Sequence, residues 1–144
     1  MTSLSFPDVN VWLALAAPEH VHALAARRWW EKEAGPIAFC RITQMGFLRL
    51  MTTAAAMDGD PLTTAEAWSV YDRLFEDDRV VFVPEPAGVE SVFRECTAGR
   101  TASPKLWADG WLLGFARCAD GILVTFDRAL AARGAHCLLP ESDA

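Results

Sequence analysis

Three aspartates, Asp8, Asp109 and Asp127, lie far apart in a chain of 144 residues. Carboxylates gathered in a group of three are suited to one kind of chemistry. Held close together, like charges force one of them to protonate unless a cation sits among them. Mg2+ or Mn2+ meets that need, because hard cations take carboxylate oxygens and keep several waters. Such an ion bridges a phosphodiester, activates a water and offsets charge on the leaving oxygen. Each aspartate also has an ordinary explanation, since Asp is a favoured helix N-cap and is stabilised in a helix's first turn. What decides between the two is whether the surrounding elements bring all three to one place.

Leu4-Ser5-Phe6 reads as a short strand that ends at Pro7-Asp8, where Pro7 lacks an amide donor for the ladder. Helical patterns cover 10–17 and 21–32, parted by Pro18. After Gly35-Pro36, Ile37-Ala38-Phe39-Cys40 is a short apolar run suited to a buried strand. The pattern from 43 to about 56 is helical again. Thr63-Thr64-Ala65-Glu66 has the spacing of a capping box and opens a helix to about Glu76. Val80-Val81-Phe82-Val83 is a third strand, stopped by Pro84 and Pro86, and a helix follows over 87–98. The polar stretch 99–105 is the one loop long enough to move. A helix over 107–119 leads through Gly121 into a fourth strand, Ile122-Leu123-Val124-Thr125. A short helix over 127–132 and a fifth, edge strand at His136-Cys137-Leu138-Leu139 complete the chain.

Strands alternating with helices predict an α/β fold: a four- to five-stranded, mostly parallel sheet flanked by helices on both faces. In such sheets ligands gather beyond the carboxyl ends of the strands. Asp8 follows the first strand and Asp127 the fourth, while Asp109 lies in the first turn of the helix that enters the fourth. Topology therefore predicts all three around one crevice.

Composition limits what that crevice can serve. Apolar residues make up 52% of the chain and charged residues 22%, which suits one domain over residues 1–144 with a real core and excludes a disordered chain. A net charge of −6 excludes a generally basic nucleic-acid coat, so a polyanionic substrate needs a local basic rim or bound cations. Cys40, Cys96, Cys118 and Cys137 show neither a C-x-x-C nor a His at ligand spacing, and read as small apolar fillers in a reducing compartment. No run approaches the ~20 apolar residues of a membrane span and no leader is expected ahead of the first strand, so the expected location is the cytoplasm. Gly-rich phosphate loops are absent from the sequence.

Asp8-Val9-Asn10-Val11-Trp12-Leu13, Thr43-Gln44-Met45-Gly46-Phe47-Leu48-Arg49, Ala108-Asp109-Gly110-Trp111-Leu112 and Val124-Thr125-Phe126-Asp127-Arg128, in that order and spacing, resemble a PIN domain. The closest likeness is to the VapC toxins of bacterial type II toxin–antitoxin systems. The resemblance implies a PIN-like three-layer sandwich and an Mg2+- or Mn2+-dependent endoribonuclease that leaves 5′-phosphate and 3′-hydroxyl ends. It also implies a homodimer and a VapB-type antitoxin that holds the enzyme inactive. Asp8, Asp109 and Asp127 match the family's acidic, metal-holding positions. The family's other acid, a Glu on the helix after the second strand, falls here on Gln44 or on Gly46, depending on how the segment is aligned. A Gln orients a water but brings no charge, which bears on whether a second metal is held. Asn10 and Thr125 match frequent polar neighbours of the site.

Arg41, Arg49, Lys105 and Arg128 are candidates for RNA phosphate, with solvated surface charge as the ordinary alternative for each. Trp107 and Trp111 are spaced to stack on an unpaired base, or to be buried or in a dimer contact. Trp12 and Trp29-Trp30 read as core or partner-groove residues. The run Glu76-Asp77-Asp78 reads as a solvated helix end. His20 and His22 are expected on a helix turn away from every strand end, which leaves metal-free cleavage by a His pair without support. A second class of function is a PIN-like scaffold without catalysis that binds RNA or an antitoxin. A phospho-acceptor receiver domain would need an acidic pair after the first strand and a Lys after the last, and neither occurs.

Overall fold

The computed structural model of the chain describes residues 3–140. Five strands, β1 (Leu4–Pro7), β2 (Ile37–Phe39), β3 (Val80–Phe82), β4 (Gly121–Thr125) and β5 (His136–Cys137), form one sheet in the order β3-β2-β1-β4-β5. Every pairing is parallel. Strands are added one way from β1 through β2 to β3 and the other way from β4 to β5, so the order of addition reverses between β1 and β4. A crevice opens at such a reversal in doubly wound sheets.

Side chains alternate across the short strands and feed two cores. On one face Ile37, Phe39, Val80 and Val124 pack under α1 (Val9–Ala16), α2 (Ala23–Lys32), α3 (Arg41–Met51) and α4 (Thr64–Leu74). Trp12 is fully buried there, stacked on Phe39 with ring centroids 3.8 Å apart. On the other face Phe6, Ala38 and Leu123 pack under α5 (Val89–Thr97), α6 (Leu106–Cys118) and α7 (Arg128–Ala131). Gly114 lets α5 and α6 approach closely, since a Cβ there would lie 3.0 Å from the backbone nitrogen of Phe93.

The elements follow the sequence reading with instructive shifts. The capping box at Thr63 forms as expected: its hydroxyl accepts from the Glu66 amide at 3.1 Å and the Glu66 carboxylate accepts from the Thr63 amide at 3.0 Å. The α3 helix begins at Arg41 rather than at 43, because Thr43 Oγ1 reaches back to accept from the Cys40 amide at 3.0 Å, making Cys40 the cap instead of a strand residue. It ends at Met51, not near 56, where the Thr52 and Thr53 hydroxyls donate back to the Leu48 and Arg49 carbonyls at 2.9 and 2.6 Å. Asp77, read as a solvated helix end, instead takes Arg79 in a two-pronged ion pair. The same guanidinium donates to the carbonyls of Trp30 and Glu33 at 2.6 and 2.7 Å, tying the end of α2 to the start of β3. None of the helices in the described residues is long and apolar enough to cross a membrane.

Candidate active site

The ladder between β1 and β4 pairs Pro7 with Val124, and the Asp8 amide continues it by donating to the Val124 carbonyl at 2.9 Å. That register sets Asp8 level with Thr125 at the sheet's carboxyl edge. Asp8 caps α1, its Oδ1 accepting from the Asn10 and Val11 amides at 3.1 and 3.2 Å. Its Oδ2 accepts from the Thr125 hydroxyl at 2.5 Å. Thr125 is fully buried, and the same oxygen accepts from the Asp127 amide at 3.0 Å. A single hydroxyl therefore orients Asp8 and the backbone that carries Asp127.

Asp127 caps α7, accepting from the Ala129 amide at 2.9 Å, and its other oxygen receives the Lys105 ammonium at 3.2 Å. Asp109, in the first turn of α6, shares with Asp127 a cavity of about 750 Å3. The capping reading holds for two of the three aspartates, since Asp8 caps α1 and Asp127 caps α7.

Burial raises Asp8 above the ordinary carboxylate range against its hydrogen bonds from Thr125, Val11 and Asn10, and the charge of Asp109 adds to the rise. Burial also raises Asp109, with Asp127 adding and the charges of Lys105 and Arg133 opposing. Lys105 is held above its usual value, first by its bond to Asp127 and then by the charges of Asp127, Asp109 and Asp8. The aspartates therefore sense one another, yet among the described residues no three acidic, His or Cys side chains converge tightly enough to ligate one ion. The donor chemistry, carboxylate oxygens of which Asp8 and Asp109 are raised first by burial and then by neighbouring aspartates, is of the kind a hard divalent cation takes.

The remaining candidates divide. Asn10 contributes its amide to Asp8, but the residue itself is exposed. Gln44 does not border the acidic cavity; its Oε1 accepts from Arg41 Nη1 at 2.6 Å. Gly46, the other alignment of the family's Glu, faces the residue after Asp8, and a Cβ there would meet Val9 Cγ2 at 2.6 Å. Val9 thus occupies the space that a carboxylate from α3 would cross. Arg41 lies over the Phe82 ring at 4.7 Å, Arg49 is exposed without an ion pair to a described residue, and Arg128 donates to the Pro140 carbonyl at 2.9 Å. Trp107 is exposed and Trp111 half-buried, both edge-on to Phe93.

Two expectations need correction. His20 and His22 do not stand away from the strand ends but pack on Phe126, the residue after β4, with centroids 6.1 and 4.7 Å away. They also precede α2 instead of lying on it. In addition, sequence reasoning missed Arg133 and Arg100, both of which border the cavity with Asp109 and Asp127. Arg133 donates to the Cys96 carbonyl. No motif marks these two residues; their only sequence signal is basic character next to the polar 99–105 stretch and the last helix.

Residues 5–135 match the family model of the PIN domain, and the chain belongs to that family. It is 41% identical over 133 residues to Ribonuclease VapC41 of Mycobacterium tuberculosis, covering 88% of this chain and 91% of the relative. It is 33% identical over 126 residues to Ribonuclease VapC44 of the same organism, covering 86% of each. These likenesses put it on the VapC branch. The fold matches the crystal structure of M. tuberculosis VapC20, a Sarcin-Ricin loop cleaving toxin, with a TM-score of 0.63 at 15% identity over 91% of this chain and 95% of that one.

Proposed function

We propose that this chain is a divalent-metal-dependent endoribonuclease toxin, one PIN domain over residues 1–144, that cuts RNA phosphodiester bonds. The observation that carries the reading is the linkage Asp8–Thr125–Asp127 across the β1/β4 reversal, with Asp109 facing the same crevice. Kinship to ribonucleases of the VapC kind supports RNA as the substrate.

In this reading Asp8, Asp109 and Asp127 would hold Mg2+ or Mn2+, which when bound lowers the pKa of a water and offsets charge on the leaving oxygen. Thr125 keeps Asp8 in one orientation by donating to its Oδ2, and its second bond keeps the Asp127 backbone in step. Lys105, bonded to Asp127, would turn to a phosphate oxygen, and Arg133 and Arg100, which border the cavity of Asp109 and Asp127, add positive charge. Gln44 braces Arg41 and acts on RNA only through it.

VapC kinship also supports a VapB-type antitoxin as partner and a cytoplasmic setting. Two features support protein contacts: Val21 and Leu24 stand exposed before and at the start of α2, and Ile42 and Met45 stand exposed on α3, the latter suiting a homodimer.

The test is cleavage of total RNA by the full chain with Mg2+ or Mn2+. Wild type should cut and Asp109→Asn should not, and the fragments should accept adapters that require a 5′-phosphate. Undiminished cleavage by Asp109→Asn, or cyclic-phosphate ends formed without metal, would overturn the mechanism. Metal binding and RNA binding without any cleavage would instead favour the non-catalytic scaffold.

A further inference from the structure

A second cavity of about 490 Å3 opens one strand away from the acidic crevice. Cys40 and Pro84, which border it, follow the carboxyl ends of β2 and β3, so it lies on the same sheet edge as Asp8 and Asp127. The two cavities also share α6: Asp109 borders the first, and Trp111, two residues on, borders the second.

The walls are flat and already set. The Arg41 guanidinium lies over the Phe82 ring at 4.7 Å and is fixed from behind by Gln44, whose side chain is 7% exposed. Trp111 stands edge-on to Phe93 at 5.5 Å, and its Nε1–H is buried with no acceptor among the described residues. Glu85 sits at the rim, exposed, as a carboxylate acceptor. Aromatic and guanidinium planes hold a π-face, while the exposed Glu85 carboxylate accepts from a polar edge. A phosphate would use only Arg41 and would meet the charge of Glu85, and an aliphatic side chain would use neither the guanidinium plane nor the carboxylate.

We infer that this cleft, on the same sheet edge as the acidic crevice, binds an unpaired nucleobase of the RNA, stacked between the Arg41–Phe82 wall and Trp111, with Glu85 selecting a base that presents N–H donors. Guanine, which offers adjacent imino and amino donors, fits best. The inference rests on the RNA-cleaving reading and extends it to substrate choice.

The test uses the full chain, with Arg41→Ala, Arg41→Lys and Glu85→Gln checked for unchanged thermal melting. Single-stranded oligoribonucleotides with one guanine, or with that guanine replaced by uracil, are measured for binding by fluorescence anisotropy in EDTA and for cleavage with Mn2+. Arg41→Ala should weaken binding by about tenfold or more, the scale of losing one stacked base. Arg41→Lys should fail to restore it, since it keeps the charge but not the plane. Glu85→Gln should erase the preference for guanine. In cleavage, KM should rise while kcat and the Mn2+ affinity stay within twofold. Cleavage with unchanged KM and base preference in all three variants overturns the cleft and leaves the nuclease reading standing. The same binding losses in a chain that does not cleave support the cleft and overturn only the nuclease reading. If the variants lose an antitoxin's peptide tail but bind RNA as before, the cleft is a protein-docking surface and the inference fails.

Discussion

Neutralising Asp109 should stabilise the metal-free protein and destabilise its metal-bound form relative to wild type. Burial, then the charge of Asp127, lifts Asp109 above its ordinary value of 3.8, so the folded state binds its proton more tightly than the unfolded state does. For a carboxyl raised in this way, the unfavourable contribution is absent below pH 3.8, grows as pH rises through the folded-state value and is constant above it. Asp109→Asn removes that cost at neutral pH. The group is partly exposed and faces Lys105 and Arg133, so after discounting for solvent screening the gain is about 0.5–1 kcal/mol, or ~2–4 °C in Tm for a chain of this size. Mn2+ at about a hundred times its Kd adds roughly 2.7 kcal/mol to the form that binds it. Calorimetry in EDTA at pH 7 should therefore rank Asp109→Asn above wild type, and the order should reverse in saturating Mn2+. At pH 3.5 in EDTA the advantage should vanish. A variant that melts below wild type in EDTA, with equal Mn2+ shifts in both, would refute the reasoning.

Thr125→Val removes a hydroxyl that serves Asp8 and the Asp127 amide at once, so Mn2+ affinity or kcat should fall about 10- to 100-fold, with Thr125→Ser restoring most of it. Arg79→Ala strips the ties to Asp77, Trp30 and Glu33 and should cost about 2–4 kcal/mol in urea unfolding, with cleavage per folded molecule unchanged. Gly114→Ala drives a Cβ to 3.0 Å from the backbone nitrogen of Phe93, and should lower stability by about 1–3 kcal/mol by prising α5 from α6. The pair Val9→Ala with Gly46→Glu opens the space that Val9 fills. It should bind Mn2+ more tightly than wild type by isothermal titration, whereas Gly46→Glu alone should melt lower.

The parts of this protein legible in its sequence are those set by local periodicity and by the order of elements. Short apolar runs ended by Pro7, Pro84 and Pro86 mark β1 and β3, and the strand–helix alternation leads to a parallel sheet and to Asp8 and Asp127 at one edge. What could not be read are pairings between side chains distant in sequence. Lys105 meets Asp127 across 22 positions, and Arg79 reaches Trp30 across 49. A long cationic side chain can turn toward several neighbours, so its residue type alone did not separate Lys105 and Arg133, at the acidic crevice, from Arg128, turned toward Pro140. Gln44 illustrates the same limit: the sequence spacing points to Met45, Leu48 and Thr52 as one side of α3, whereas Thr43, Gln44, Phe47 and Met51 are the buried residues and Gln44 turns to Arg41. His20 and His22 were misjudged because they lie in the connection before α2, where periodicity carries no information about the fold-back onto Phe126.

A cation shared by the three aspartates is observed directly by anomalous scattering from crystals soaked in Mn2+. A peak bounded by the carboxylates of Asp8, Asp109 and Asp127, with Lys105 withdrawn from Asp127, is the predicted result. A Mn2+ peak elsewhere, or Lys105 still bound to Asp127 at saturating metal, would contradict it.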